Sequence, residues 1–334
     1  MRPSWAIVAA VVAAWAAMPL YGASRSYAAE VRSGVEFYLL KDEQMDFETA
    51  RKKPLSELVL RDRPWIAAAD IERYDWSSHY VYLNRQVPIP VPAGQKHILL
   101  RGTPFVVVAD GQRCYLGALW SPVSSFSPAG NVAMVNDVFG GELDRLAITW
   151  HSVLWPGEAR TDPRANPQVS KALRRQGVFH AGLQCSLDKV RVEHKGGASS
   201  VIYTYTLRNS DEDDLYVLDP QRIDPAFFHD FQNGVWGRDV DDGTRFAWPN
   251  PRKVGPQPTP WGKLDMAWFS RLKKGEAMTR TVSMDALPRI FAGKYECEFA
   301  YRGYSGAVTK EQLQLRDGRI WLGRITATLT VAVP

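Results

Sequence analysis

Residues 198–209 read Ala-Ser-Ser-Val-Ile-Tyr-Thr-Tyr-Thr-Leu-Arg-Asn. From Val201 the residues alternate, with Val201, Tyr203, Tyr205 and Leu207 on one face and Ile202, Thr204 and Thr206 on the other. A period of two that puts large rings on one side and hydroxyls on the other describes a half-buried β-strand and excludes an amphipathic helix. The β-branched and aromatic content agrees. Working outward, residues 189–195 alternate as a preceding strand. Residues 209–214 form an acidic turn, and residues 215–218 resume β structure. Further strands are expected at residues 264–269, 278–284, 293–301 and 320–333. Short alternating strands separated by turn residues predict an antiparallel β-sandwich over residues 183–334, carrying a long insertion at residues 219–262.

One local pattern sharpens this expectation. Ala292-Gly293-Lys294-Tyr295-Glu296-Cys297 places a Tyr two residues before a Cys at the start of a strand. Tyr295, Cys297, Phe299 and Tyr301 would face inward, and Glu296 and Glu298 outward. The pattern resembles the tyrosine corner of immunoglobulin-like domains. Leu272-Lys273-Lys274-Gly275-Glu276 before a strand, and Trp321-Leu322-Gly323-Arg324-Ile325-Thr326 in the last strand, resemble exported bacterial modules with such sandwiches. The resemblance covers about residues 187–333. It implies an immunoglobulin-like fold and no activity, because that fold hosts many unrelated functions. It departs from antibody domains in that the strand at residues 201–207 has no Cys.

Upstream, residues 30–155 read as an N-terminal α+β domain. A strand is expected at residues 35–40, and a short helix within residues 48–58 is interrupted by Pro54. Another strand is expected at residues 79–83. Residues 104–108 and 114–120 flank Asp110-Gly111, the sequence of a tight hairpin turn. Residues 156–182, with Pro156, Pro163 and Pro167, read as a linker with one helical turn at residues 170–176. The whole is mainly β.

The N-terminus has the three-part form of a secretory signal peptide. Arg2 precedes an uncharged apolar run at residues 5–18, Pro19 and Gly22 end it, and Ser26-Tyr27-Ala28 supplies small residues for cleavage. The run is shorter than the ~20 residues of a spanning helix. Residues 1–28 are therefore expected to be removed, leaving a secreted or periplasmic chain with no membrane span. The chain carries 41 Lys+Arg against 36 Asp+Glu. Removing residues 1–28 deletes Arg2 and Arg25 and lowers the net charge from +5 to +3. The short basic clusters are scattered, so no nucleic-acid partner is expected. Cys114, Cys185 and Cys297 allow either one disulfide with a thiol left over or three buried thiols.

No motif of a known chemistry is complete. HExxH, the G-x-S-x-G elbow, the P-loop and G-x-G-x-x-G are all missing, so no metal or cofactor is expected. Residues 238–243, Arg-Asp-Val-Asp-Asp-Gly, lack calcium-loop spacing and read as a turn. Tyr74-Asp75-Trp76-Ser77-Ser78-His79 places Asp, Ser and His together, which a hydrolase could use, although Asp and Ser also favour turns. The insertion is rich in Pro and aromatic residues, and Trp236, Trp248 and Trp261 are its candidate ligand contacts. The expected function is a non-catalytic binding or structural protein of the cell envelope or exterior, not an enzyme, with an unidentified protein, peptide or glycan ligand. The alternatives are a secreted hydrolase with its site near Asp75 and His79, and a proteinase-inhibitor-like module.

Overall fold

The chain is built mainly from β-strands. The computed structural model describes residues 33–90, 101–121, 124–126, 128, 130–135, 142–153, 161–195, 197–223, 228, 233–241, 243, 245–246, 248–249, 264–287, 290–304 and 308–334. Ser33–Pro334 pack as one compact unit. Among the described residues, no helix is long and apolar enough to cross a membrane.

The first sheet uses β1 (Val35–Leu39), β2 (Ile71–Asp75), β3 (Tyr80–Pro88), β4 (Thr103–Ala109), β5 (Gln112–Leu119), β6 (Gly130–Val135), β7 (Glu142–Val153) and β8 (Phe179–His180). Their order is β1-β4-β5-β6-β7-β3-β2-β8. β1 is buried along its whole length, because both faces of the sheet are covered. Val35, Phe37 and Leu39 join one apolar core, while Tyr38 and Leu40 join another. The second core includes Ala50 of α1 (Phe47–Ala50) and Leu58. Double-sided burial explains why β4 reads as the unbroken apolar run Phe105-Val106-Val107-Val108 rather than as an alternation. The Asp110-Gly111 turn forms as expected, with φ of 49° and 78°, the left-handed pair a type I′ hairpin needs.

The helical turn expected at residues 170–176 is in fact a longer helix, α2 (Pro167–Gln176). Asn166 caps it by accepting from the Gln168 N–H, Pro167 opens it and Gly177 closes it in the left-handed region. Val169, Ala172 and Leu173, spaced for one helix face, are fully buried in the core of the first sheet. A stretch with the composition of a linker therefore carries part of the core.

The remaining strands form three four-stranded sheets. They are β9 (Leu183–Lys195), β10 (Ala198–Asn209), β11 (Leu215–Leu218), β12 (Gly234–Asp239), β13 (Arg245–Phe246), β14 (Trp248–Pro249), β15 (Phe269–Leu272), β16 (Ala277–Leu287), β17 (Gly293–Arg302), β18 (Gln314–Leu315), β19 (Gly318–Ile320) and β20 (Arg324–Val333). The sheet orders are β14-β16-β10-β9, β13-β12-β17-β20 and β15-β11-β19-β18. The predicted inward faces meet. The Tyr205 ring lies 4.4 Å from Phe299 and 6.4 Å from Tyr301 between centroids, and Tyr203, Cys297 and Tyr295 are buried in the same core. Outward, Thr204 and Thr206 hydrogen-bond Thr281 and Thr279 at 2.9 and 2.8 Å.

Several boundaries differ from the sequence expectation, each for a physical reason. The strand expected at residues 264–269 begins only at Phe269, because Asp265 caps a single turn at Met266–Trp268 by accepting from the Ala267 N–H. The strand expected at residues 320–333 is split between β19 and β20. Trp321 leaves the ladder and is fully buried, and Gly323 turns the chain at a φ of 112°. Residues 219–262 are not one loop: they supply β12, which pairs with β17. Phe228, from the same stretch, is fully buried against Tyr205 and Tyr301. Part of the aromatic content read as a recognition surface is therefore core.

The three cysteines are free thiols. Burial pushes the Cys185 and Cys297 thiols up to about 12 and raises Cys114 as well, so thiolate is scarce at neutral pH. Intact mass is therefore expected to be identical with and without reductant. Rapid addition of three alkyl groups should appear only after unfolding. A mass change on reduction would contradict three free thiols.

Candidate functional site

The turn joining β2 to β3 carries the sequence's only Asp-Ser-His grouping, and the structure does not assemble it as a triad. Asp75 is 1% exposed. Its Oδ1 accepts from Ser77 Oγ at 2.7 Å and from the Ser78 N–H at 3.2 Å. Its Oδ2 accepts from Arg319 Nη2 at 3.0 Å. Ser77 Oγ in turn accepts from the Leu183 N–H at 3.0 Å and from Trp321 Nε1 at 3.3 Å. The hydroxyl is thus consumed by one donation and two acceptances, which leaves no lone pair directed at a substrate.

His79 points elsewhere. It sits in the left-handed region with a φ of 52°, its Nδ1 is 3.0 Å from the Tyr74 hydroxyl and its ring packs on Trp76. Burial pulls its pKa down to about 3, with the nearby Arg164 adding to the effect. The imidazole is thus bonded to the buried Tyr74 hydroxyl rather than to Ser77, and is not arranged as the base of the Asp-Ser-His set.

What the turn does instead is engage the second half of the chain. Arg319, on β19, is fully buried, and its Nη2 bonds both Asp75 and Asp211. Asp211 is likewise fully buried; its Oδ1 lies 2.9 Å from His180 Nδ1, and its Oδ2 accepts from the Gly182 N–H. Burial opposes ionisation of Asp211, but the hydrogen bond from His180 and the charge of Arg319 outweigh it and hold the carboxyl well below the usual carboxylate range. Asn209 sets the acidic turn beneath. Its side-chain oxygen accepts from the Asp211 N–H at 2.8 Å, and its amide donates to Asp213 O and Leu272 O. A Cβ at Gly182 would come within 2.2 Å of Ser77 Oγ, and one at Gly323 within 2.2 Å of Ser78 Cβ. The 75–79 turn is therefore seated against backbone that only glycine leaves open.

Among the described residues, His180, Asp211 and Asp213 each offer a ligand atom, all within 4.8 Å of one another. The donor set does not suit a divalent ion. The Arg319 guanidinium already bonds Asp211 and lies 3.7 Å from Asp213 Oδ2, so a metal would add charge beside a buried cation that cannot deprotonate.

Of the candidate tryptophans, Trp236 and Trp248 lie on strands of different sheets. Trp236 lies half-buried on β12, opposite Glu298 of β17, with the Arg324 guanidinium 5.5 Å from its ring centre. Trp248 belongs to β14, in a different sheet. Trp261 lies outside the described residues. In the acidic stretch that follows β12, Asp239 Oδ1 accepts from the Asp241 N–H at 2.7 Å.

No protein-family model matches the chain, and no curated protein matches it in sequence. Reading the sequence alone missed Arg319, Asp211 and His180. The one available signal was Arg319 itself, a lone cation in Gly318-Arg319-Ile320-Trp321-Leu322, where an otherwise apolar run demands a buried partner.

Proposed function

We propose that this chain is an exported, non-catalytic binding or structural protein of the cell envelope or exterior, secreted or periplasmic after loss of residues 1–28. The observation that carries the reading is the use of buried Asp75 and half-buried Ser77 and His180 as hydrogen-bond partners between the two halves. These groups serve cohesion, and the polar machinery a hydrolase would need is spent on it. The signal-like sequence of residues 1–28 supports export.

The same reading takes residues 183–334 as an immunoglobulin-like β-sandwich. Three features support it. One sheet runs β16-β10-β9 and the other β12-β17-β20, the arrangement of strands E-B-A against C-F-G. Tyr295 Oη donates to Phe291 O at 3.1 Å, the backward bond of a tyrosine corner. Cys297 is buried at the position of the usual second cysteine, with Tyr205 and Phe299 rings filling the core where a disulfide would otherwise pack.

The ligand face is assigned to the outer surface of β12, β17 and β20. It presents Trp236 beside Arg324 and Glu298, which pair at 3.5 Å, and the exposed Thr326, Thr328 and Thr330. A ring flanked by charges and hydroxyls suits a sugar or an extended peptide. Glycan and peptide arrays probed with the protein lacking residues 1–28 are expected to return a ligand that Trp236→Ala loses at unchanged melting temperature. Equal binding by Trp236→Ala, Trp248→Ala and Trp261→Ala would remove the ligand face. Hydrolysis by the purified protein that a folded Asp75→Asn variant lacks would overturn the non-catalytic reading.

A further inference from the structure

Strand register puts Arg73 opposite Tyr82 on β2 and β3, and Tyr82 opposite Arg145 on β3 and β7. Directly opposed residues share a face of the sheet, so the three side chains form one row. Tyr82 packs in the core of residues 183–334, whereas Val81 and Leu83 pack in the core of the first sheet. The row therefore faces the second half of the chain. Arg319 comes from that half to the end of β2, where it bonds Asp75.

The hydrogen-bonding of this group is incomplete. Arg73 Nε, Tyr82 Oη, Arg145 Nη1, and Arg319 Nε and Nη1 are all buried without a hydrogen-bond partner. Arg319 is 0% and Tyr82 1% exposed. The nearest carboxylates fall short, with Asp144 Oδ2 at 3.9 Å from Arg145 Nη1 and Asp213 Oδ2 at 3.7 Å from Arg319 Nε. The other acids are already engaged: Asp75 and Asp211 hold Arg319 Nη2, and Glu72 pairs with Lys310. The Arg73 guanidinium lies 4.1 Å from the centre of the Tyr82 ring, and the charges of Arg319, Arg73 and Arg145 all act on the Tyr82 phenol.

Buried donors are almost always satisfied, and a charged one left bare is costly. The four orphan arginine nitrogens can only donate. Burial keeps the Tyr82 phenol protonated, so it too can donate. Burial and then the positive charge of Arg319 disfavour the charged form of Arg73. A group that accepts from all of them and carries negative charge resolves both deficits, whereas a water resolves only the first. We propose that Arg73, Tyr82, Arg145 and Arg319 hold a small inorganic anion, a halide or a compact oxyanion, at the seam between the first sheet and β19.

Thermal unfolding in sodium bromide, chloride or phosphate, against gluconate at constant ionic strength, tests this. The midpoint is expected to rise saturably with one anion class, and the responding class distinguishes halide from oxyanion. Tyr82→Phe, which removes one donor, is expected to weaken the apparent affinity roughly tenfold with unchanged circular dichroism. Should that variant not fold, Arg145→Gln serves in its place. Crystals grown in bromide would show an anomalous peak within hydrogen-bond reach of Tyr82 Oη and Arg319 if the halide is bound. A midpoint that follows every salt alike, without saturation and equally in the variant, would overturn the site.

Discussion

Arg319→Met is expected to cost about 3–5 kcal/mol of unfolding free energy, the range for removing one member of a buried charge network. Met approximates the aliphatic volume but leaves Asp75 and Asp211, at 1% exposure each, without their shared cation. Removing it leaves two buried carboxyl groups without the cation that both of them bond. The loss is large beside the 5–15 kcal/mol total of an ordinary domain. Urea denaturation followed by tryptophan fluorescence measures it. Asp75→Asn on the Arg319→Met background should recover part of the loss, and the non-additivity gives the Asp75–Arg319 coupling. Arg319→Lys should fall between, because a single ammonium lacks the fork. A loss below about 1 kcal/mol for Arg319→Met would mean the carboxylates are hydrated and the halves are held by apolar contact alone. The role assigned to this network is orientation: a buried salt bridge need add no net stability over an apolar replacement, but it fixes which turn sits against which strand.

The β character of the chain was legible because its strands are half-buried and therefore alternate. Val201 to Leu207 and Tyr295 to Tyr301 declare both faces in their spelling, and those faces meet at Tyr205 and Phe299. Where burial is two-sided the pattern vanishes, as in β4, and only the Asp-Gly turn marked the hairpin. Helix α2 was hidden by composition. Its Pro and Arg content read as a surface crossing, yet only the three positions Val169, Ala172 and Leu173 need be apolar for it to dock. The break at Trp321 was invisible because it is imposed from Ser77, 244 residues away. The partners of the 75–79 turn were hidden for the same reason. Asp75, Ser77 and His79 look like reagents when read in one dimension, yet the partners of Asp75 and Ser77, namely Arg319, Leu183 and Trp321, come from the other half of the chain, while His79 bonds the nearby Tyr74. Tertiary pairing between residues distant in sequence leaves no local signal beyond an isolated charge in an apolar run.

His79 supplies a second large effect, read through pH. Its folded pKa is pulled down to about 3 by burial, against an unfolded value near 6.5. The unfolded chain therefore takes up a proton between these values that the folded chain refuses. Stability from this group is complete above about pH 6.5 and is lost as pH falls toward 3. Between pH 7 and pH 5 the loss amounts to about 2 kcal/mol. The charges facing the ring are Arg164, which opposes protonation, and Asp162, which favours it less strongly. Arg164 is itself bound to Asp162 at 2.7 Å. Asp70, Asp211 and Asp219 are held below the usual carboxylate range, so their stabilisation is also lost on acidification, but only below about pH 5, where unfolded carboxylates begin to bind protons. The interval from pH 7 to pH 5 therefore separates His79 from these carboxylates, and comparison with a His79 variant separates it from the other histidines. His79→Asn is the fitting probe, since Asn tolerates the left-handed backbone at this position and its amide can still reach the Tyr74 hydroxyl. Chemical denaturation at half-unit steps should give a wild-type stability that falls across this interval and a His79→Asn stability that is nearly flat. Parallel curves for the two proteins would show that His79 is protonated in the folded state, and hence that the Trp76–Tyr74 pocket admits water.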